Sequence, residues 1–236
     1  MRRKSVLLAL AIVVFLVGSG GGILYFLVRH EPDFYVRCKV PPGEQRKDLS
    51  AAFISECANH LFNDWYKNKP WEGRFKEEEI NSYFAEDLVS KHSVESPFPE
   101  GISEPRVSLE QNRIRLGFRY GKGWKSTVVS INMRVWLIAK ESNVVALEFE
   151  KIHAGLLPIS AQSLLDRAAD YAHQRDIEAM WYRHNGRPVL VLRFEADKNN
   201  PVFQIRELGV RPGLLRIAGR SSDGAAQVTG PGLPNG

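Results

Sequence analysis

Three rhythms of apolar and polar residues divide this chain. From Ser5 to Val28 no charge interrupts the run SVLLALAIVVFLVGSGGGILYFLV. At about 1.5 Å per residue, a helix of that length crosses a hydrocarbon layer of roughly 30 Å. A cleaved secretory signal is the competing reading, with Gly18 to Gly22 as the small residues of a cleavage site. Against it, Ile23, Leu24, Tyr25, Phe26, Leu27 and Val28 continue the apolar run where a mature sequence turns polar. An uncleaved signal-anchor is therefore expected. Arg2, Arg3 and Lys4 precede the span, and Arg29 is soon followed by Glu31 and Asp33, so the N-terminus is expected in the cytoplasm. The rest then lies in the periplasm or outside the cell.

The second rhythm is helical. Leu49, Phe53, Cys57, Leu61 and Trp65 recur at helix spacing and predict an amphipathic helix over about 46–66. Glu77, Glu78 and Glu79 suit the positive end of a second helix beginning near Lys76, with Ile80, Tyr83, Phe84 and Leu88 on one face. Ser160 fits as the N-cap of a third, through Gln174, burying Leu164, Leu165, Ala168, Ala169 and Ala172.

The third rhythm has a period of two. Ile114, Leu116, Phe118 and Tyr120 alternate with Arg113, Arg115, Gly117 and Arg119. After a turn at Gly121–Gly123, the run 125–139 places Val129, Ile131, Met133, Val135 and Leu137 on one face. Beyond a turn at 141–143, Val145, Leu147 and Phe149 continue an antiparallel meander. Further strands are expected at 177–184, 188–195, 201–210 and 213–218, with Asn185-Gly186 as a strong hairpin signal.

The pattern predicts an α+β fold in which an N-terminal transmembrane helix precedes amphipathic helices packed on a mainly antiparallel, curved β-sheet. The divisions are a cytoplasmic tip and anchor (1–29), a linker (30–45) containing Pro32, Pro41, Pro42 and Gly43, an extracytoplasmic domain (46–220), and a Gly/Pro-rich tail (221–236) expected to be disordered.

Composition changes this picture little. The chain has 236 residues, 44% hydrophobic and 25% charged, enough for one sizeable domain. The formal charge of +5 invites a nucleic-acid reading, but Arg2, Arg3 and Lys4 supply three of those charges and the remaining body is close to neutral. No basic cluster with interleaved aromatics follows, so nucleic acid is not an expected partner.

Motifs for chemistry are scarce. GKGWKST at 121–127 places Trp124 where a phosphate loop needs Gly-Lys-Ser/Thr, and it joins two strands. Asp166, Asp170 and His173 share a helix face at ligand-like spacing, but a solvated face opposite the apolar stripe explains them better. His153 has no motif partner, and there is no G-x-S-x-G, HExxH or Cys-x-x-Cys. No catalytic residue, cofactor site or metal site is expected. Cys38 and Cys57, the only cysteines, either form a disulfide in an oxidising compartment or remain free thiols, with Cys57 buried as a small hydrophobe. Arg113, Arg115 and Arg119, beside Lys122 and Lys125, either meet anionic lipid headgroups or keep a sheet face soluble.

The order of elements is similar to that of bacterial single-pass membrane-anchored envelope domains of the YpmS and LmeA-like kind. The residues that carry the likeness are the anchor, FKEEEINSYFAEDL at 75–88 with Asn81, the paired strands, and HAGLLPISAQSLLDR at 153–167. The strand lengths and the Pro-rich stretch 97–105 depart from that pattern. The resemblance implies extracytoplasmic lipid binding or envelope maintenance. One expected reading is a non-enzymatic domain that holds a lipid or other apolar ligand in a groove of Val129, Ile131, Met133, Val135 and Leu137, facing Leu164, Leu165 and Ala168. The other is an interaction domain that docks an envelope protein. The bilayer is the expected partner of either.

Overall fold

The structure is a computed structural model that describes residues 15, 18–59, 70–88, 101–139, 141, 143–160, 178–194 and 203–221. In chain order its helices are α1 (18–29), α2 (Asp33–Arg37), α3 (Glu44–Ala58) and α4 (Glu77–Tyr83), the last running into a π-helical turn at Phe84–Leu88. The strands are β1 (Pro70–Lys76), β2 (Ile102–Glu110), β3 (Arg113–Tyr120), β4 (Thr127–Leu137), β5 (Val144–Ala154), β6 (Leu157–Pro158), β7 (Glu178–His184), β8 (Arg187–Arg193), β9 (Phe203–Arg211) and β10 (Leu214–Ser221). A seven-stranded sheet has the order β2-β3-β4-β5-β8-β7, with β6 on β5, and a three-stranded sheet has the order β1-β10-β9. All these pairings are antiparallel. The α+β class with antiparallel sheets thus agrees with the period-two reading. Among the described residues, no helix is long and apolar enough to cross a membrane. Half of the N-terminal apolar run, residues 161–174 of the helix expected after Ser160, and the tail beyond Ser221 lie outside them.

Register puts the core on one face of the large sheet. Leu116 lies opposite Ile131, and Phe118 opposite Val129. Ile131 in turn faces Ile152, and Leu147 faces Leu190. A bulge between Asn132 and Met133 makes Glu150 an extra residue on β5, because Asn132 pairs with Lys151 while Met133 pairs with Phe149. Such an insertion resets the alternation. Phe149 and Ile152 consequently share the core face although their spacing in the sequence is odd. Single-strand periodicity cannot reveal this.

At the far end of this face a second cluster closes the core. Ile80, Val107, Leu109 and Val210 are buried together, with Phe53, Phe75, Phe84, Val135 and Leu215 packed against them. The three-stranded sheet, α3 and α4 meet the large sheet there. Glu79 returns its carboxylate to the Lys76 N–H (3.1 Å), which fits the acidic start expected for this helix.

The outer edge of β2 is sealed at Val107 and Leu109 by two side chains and one backbone amide. Asn81 accepts from Val107 N and donates to Val107 O, both at 2.8 Å, so its amide stands in for a neighbouring strand. Glu77 Oε2 accepts from Leu109 N (2.6 Å), Gly213 N donates to Leu109 O (3.0 Å), and Pro105 brings no N–H to this edge. An edge strand otherwise presents unpaired backbone groups.

Residues 30–45 are not the linker expected from their prolines. Phe34 and Tyr35 of α2 are 4% and 0% exposed and pack with Val128 on the opposite face of the large sheet. Gly117 makes room, since a Cβ there would stand 2.7 Å from the Tyr35 ring. The Tyr35 hydroxyl donates to Glu104 O (2.8 Å), and Arg106 lies over its ring at 4.0 Å while donating to Tyr35 O (2.7 Å). Two aromatics in a five-residue helix outweigh the Pro-rich punctuation around them, because burying each is worth roughly 1.5–3 kcal/mol.

Candidate functional site

The apolar face of the large sheet is the first candidate. Of the five β4 residues assigned to a groove, Val129, Ile131 and Met133 join one cluster with Phe118, Phe149, Ile152, Ala179 and Leu190. Val135 belongs instead to the cluster under α4, and Leu137 is half-buried outside both. Leu164, Leu165 and Ala168, the proposed opposite wall, lie outside the described residues. Alternation on β7 turns Ala179 and Trp181 toward the cluster and leaves Met180 and Tyr182 exposed. The Trp181 ring packs 5.7 Å from Phe149, while its Nε1 is buried without a hydrogen-bond partner among the described residues. Such a donor in an apolar setting costs free energy until an acceptor reaches it. The sequence placed β7 but not this donor, whose only signal was the apolar parity of Ala179 and Trp181.

The opposite face carries the arginines expected to meet headgroups, and each has a carboxylate partner. Arg113 reaches Glu150 at 3.0 Å, and Arg134, directly across from Arg113, reaches the same carboxylate at 2.8 Å. Arg187 extends the ladder to Glu148 at 3.1 Å. Arg115 lies 3.2 Å from Glu110, and Arg119 binds Glu31 at 2.6 Å. Hydrogen bonding to Glu31 raises the Arg119 pKa further. This surface is close to charge-balanced, so its pull on an anionic layer is weaker than the sequence pattern implied.

Both cysteines are free thiols, at odds with a Cys38–Cys57 disulfide. Cys38, at the end of α2, donates its S–H to Glu77 Oε1 at 3.3 Å. Burial first, and then the adjacent Glu77 carboxylate, push this thiol up to about 11. Burial likewise raises Cys57. A thiol held protonated is a poor nucleophile. Cys38 also lines a cavity of about 440 Å³ between the segment 37–46 and α4, bordered by Arg37, Arg46, Glu77 and Glu78. No described group of three or more His, Cys, Asp or Glu residues could hold a metal ion. Asp166, Asp170 and His173 lie outside the described residues.

Compared with known proteins, the chain matches no family model, no curated protein and no solved structure.

Proposed function

We propose that this chain is a non-enzymatic, membrane-anchored binding domain on the outer side of a membrane, holding a lipid or other apolar ligand against the apolar face of its seven-stranded sheet. The observation that carries the reading is the Trp181 donor, buried beside Phe149 in an otherwise apolar cluster without an acceptor among the described residues. A lipid offers what this place lacks, an ester or headgroup oxygen on an apolar body. The resemblance to envelope domains of the YpmS and LmeA-like kind points the same way, as does the uncharged N-terminal run.

Native mass spectrometry of the full chain, after exchange into a detergent that strips loose lipid, tests the idea. Wild type should retain a stoichiometric lipid. Ala179→Trp, which fills the cluster beside Trp181, should lose it at an overpacking cost of about 1–3 kcal/mol. Bare wild-type protein, or an unchanged lipid load in a folded Ala179→Trp, would rule the reading out.

A second reading, docking of an envelope protein, is favoured by Met180 and Tyr182, 48% and 42% exposed on the edge strand β7. Added strands choose such edges. Met180→Lys should then abolish partner capture without altering lipid retention.

A further inference from the structure

The last turn of α1 is gripped by the domain. Its final carbonyls have no partner within the helix and need one outside it. Leu156 N donates to Leu27 O at 2.9 Å, and Thr127 Oγ1 donates to Val28 O at 2.5 Å. Gly155 stands between them at φ +60°, where an added Cβ would lie 2.2 Å from Leu27 O and 2.5 Å from Val28 O. Arg29 then donates to Trp124 O at 2.7 Å, and Glu31 is bound by Arg119 at 2.6 Å. Two sheet turns, one before β4 and one after β5, thereby cap the helix and replace a free tether.

The residues that form this cap expose the wrong side chains for water. Trp124 is 73% exposed on the 3₁₀ turn Gly123–Lys125, and Leu156 is 50% exposed. Both backbones bond directly to the end of α1, whose own Ile23, Leu24, Tyr25 and Phe26 are exposed as well. Arg29 and Lys125 lie beside the two aromatics, and no acidic residue occurs from Gly121 to Thr127. Lys125 lies 5.2 Å from the Trp124 ring and Arg29 lies 5.6 Å from the Tyr25 ring. An amphipathic aromatic beside a cation, at the end of an apolar helix, is the chemistry of a membrane–water interface.

We infer that the turn 121–126 and Leu156 rest in the headgroup layer of the bilayer that α1 enters, with Trp124 inserted at the ester level and Lys125 on anionic phosphates. The inference rests on the anchored reading above, and it moves the headgroup contact from the face of β3 to the tip of the β3–β4 connection. Two aromatics and two cations from α1 and the turn 121–126 meet there, whereas the β3 arginines face carboxylates.

The full chain is reconstituted into vesicles of phosphatidylcholine and phosphatidylglycerol, with and without bromine on the acyl carbons nearest the ester. The emission lost in Trp124→Phe isolates Trp124 from the other tryptophans. Bromine should quench that component and aqueous iodide should not, and omitting phosphatidylglycerol should weaken the bromine effect. Full iodide quenching with no bromine effect, in protein that resists alkaline carbonate extraction, would overturn the seating and leave the anchor standing. Release of the chain by carbonate would remove both. Trp124→Phe should leave the melting temperature unchanged, since the side chain is exposed and only its backbone carbonyl holds Arg29.

Discussion

The two faces of the seven-stranded sheet stabilise the same strands by different means. Among the described residues one face is continuous hydrocarbon from Leu109 across Ile131 and Phe149 to Leu190, interrupted by the indole N–H of Trp181. The other is patchwork: α2 over Gly117 and Val128, a ladder of Arg113, Arg134, Glu150, Glu148 and Arg187, and an apolar cluster of Val144, Ala146, Val189 and Val191. Burial on the first face scales with area and tolerates little loss of volume. Ion pairs on the second are half in water and contribute little each. The face that holds the sheet together is therefore the one with an unmet polar demand, and the face that looked adhesive in the sequence has largely satisfied itself.

Deleting volume from the apolar face should have the largest effect. Phe118→Ala is expected to cost about 3–5 kcal/mol in denaturant unfolding, and a loss below about 1 kcal/mol would mean this face is not the core. Asn81→Leu comes next, leaving Val107 N and O without partners at about 1–3 kcal/mol for each orphaned group. It keeps the bulk and the apolar contacts of α4, so its cost reads the polar seal alone.

The α2 clasp should show a pH-gated effect. Burial pushes Tyr35 up to about 12 and Cys38 up to about 11. Both groups hold their protons to higher pH in the folded chain than in the unfolded one, so the stability they contribute is complete below about pH 9 and lost as pH rises toward 12. Cys38→Ser should abolish the part of the loss between about pH 9 and 11, and Tyr35→Phe the part between about 10 and 12, in melting temperatures taken across that range. An unchanged alkaline slope in both variants would place these groups in water. The smallest effect belongs to the ladder. Arg113→Gln should change stability by less than about 1 kcal/mol, and vesicle binding by the full chain should stay level. A strong loss of binding would restore the β3 face as a headgroup contact.

How much of this was legible follows from the range of each signal. Local alternation placed β3, β4, β7 and β8 closely, and Asn185-Gly186 marked their hairpin because both residues adopt positive φ, 51° and 78°. The acidic start of α4 was legible for the same local reason. Pairings across the sheet were not. Glu150 reads as one more polar residue until its register makes it the extra residue of a bulge that serves two arginines. Asn81 was noted for its place in a motif, but its role as a substitute strand needs Val107, which is far off in sequence. Tyr35 was hidden by the neighbouring prolines, and the donor of Trp181 by the ordinary look of an aromatic in a strand.

The sealed edge of β2 has a consequence for life at high density. Anchoring of the kind proposed would crowd chains in a two-dimensional layer, where repeated meetings in similar orientations favour the stacking of sheets from different molecules. On this side such growth is hindered: Asn81, Glu77 and Gly213 occupy the backbone groups of Val107 and Leu109, and Pro105 has no N–H to donate. A newcomer strand would first have to pull α4 away, so the chain itself opposes self-association along this border.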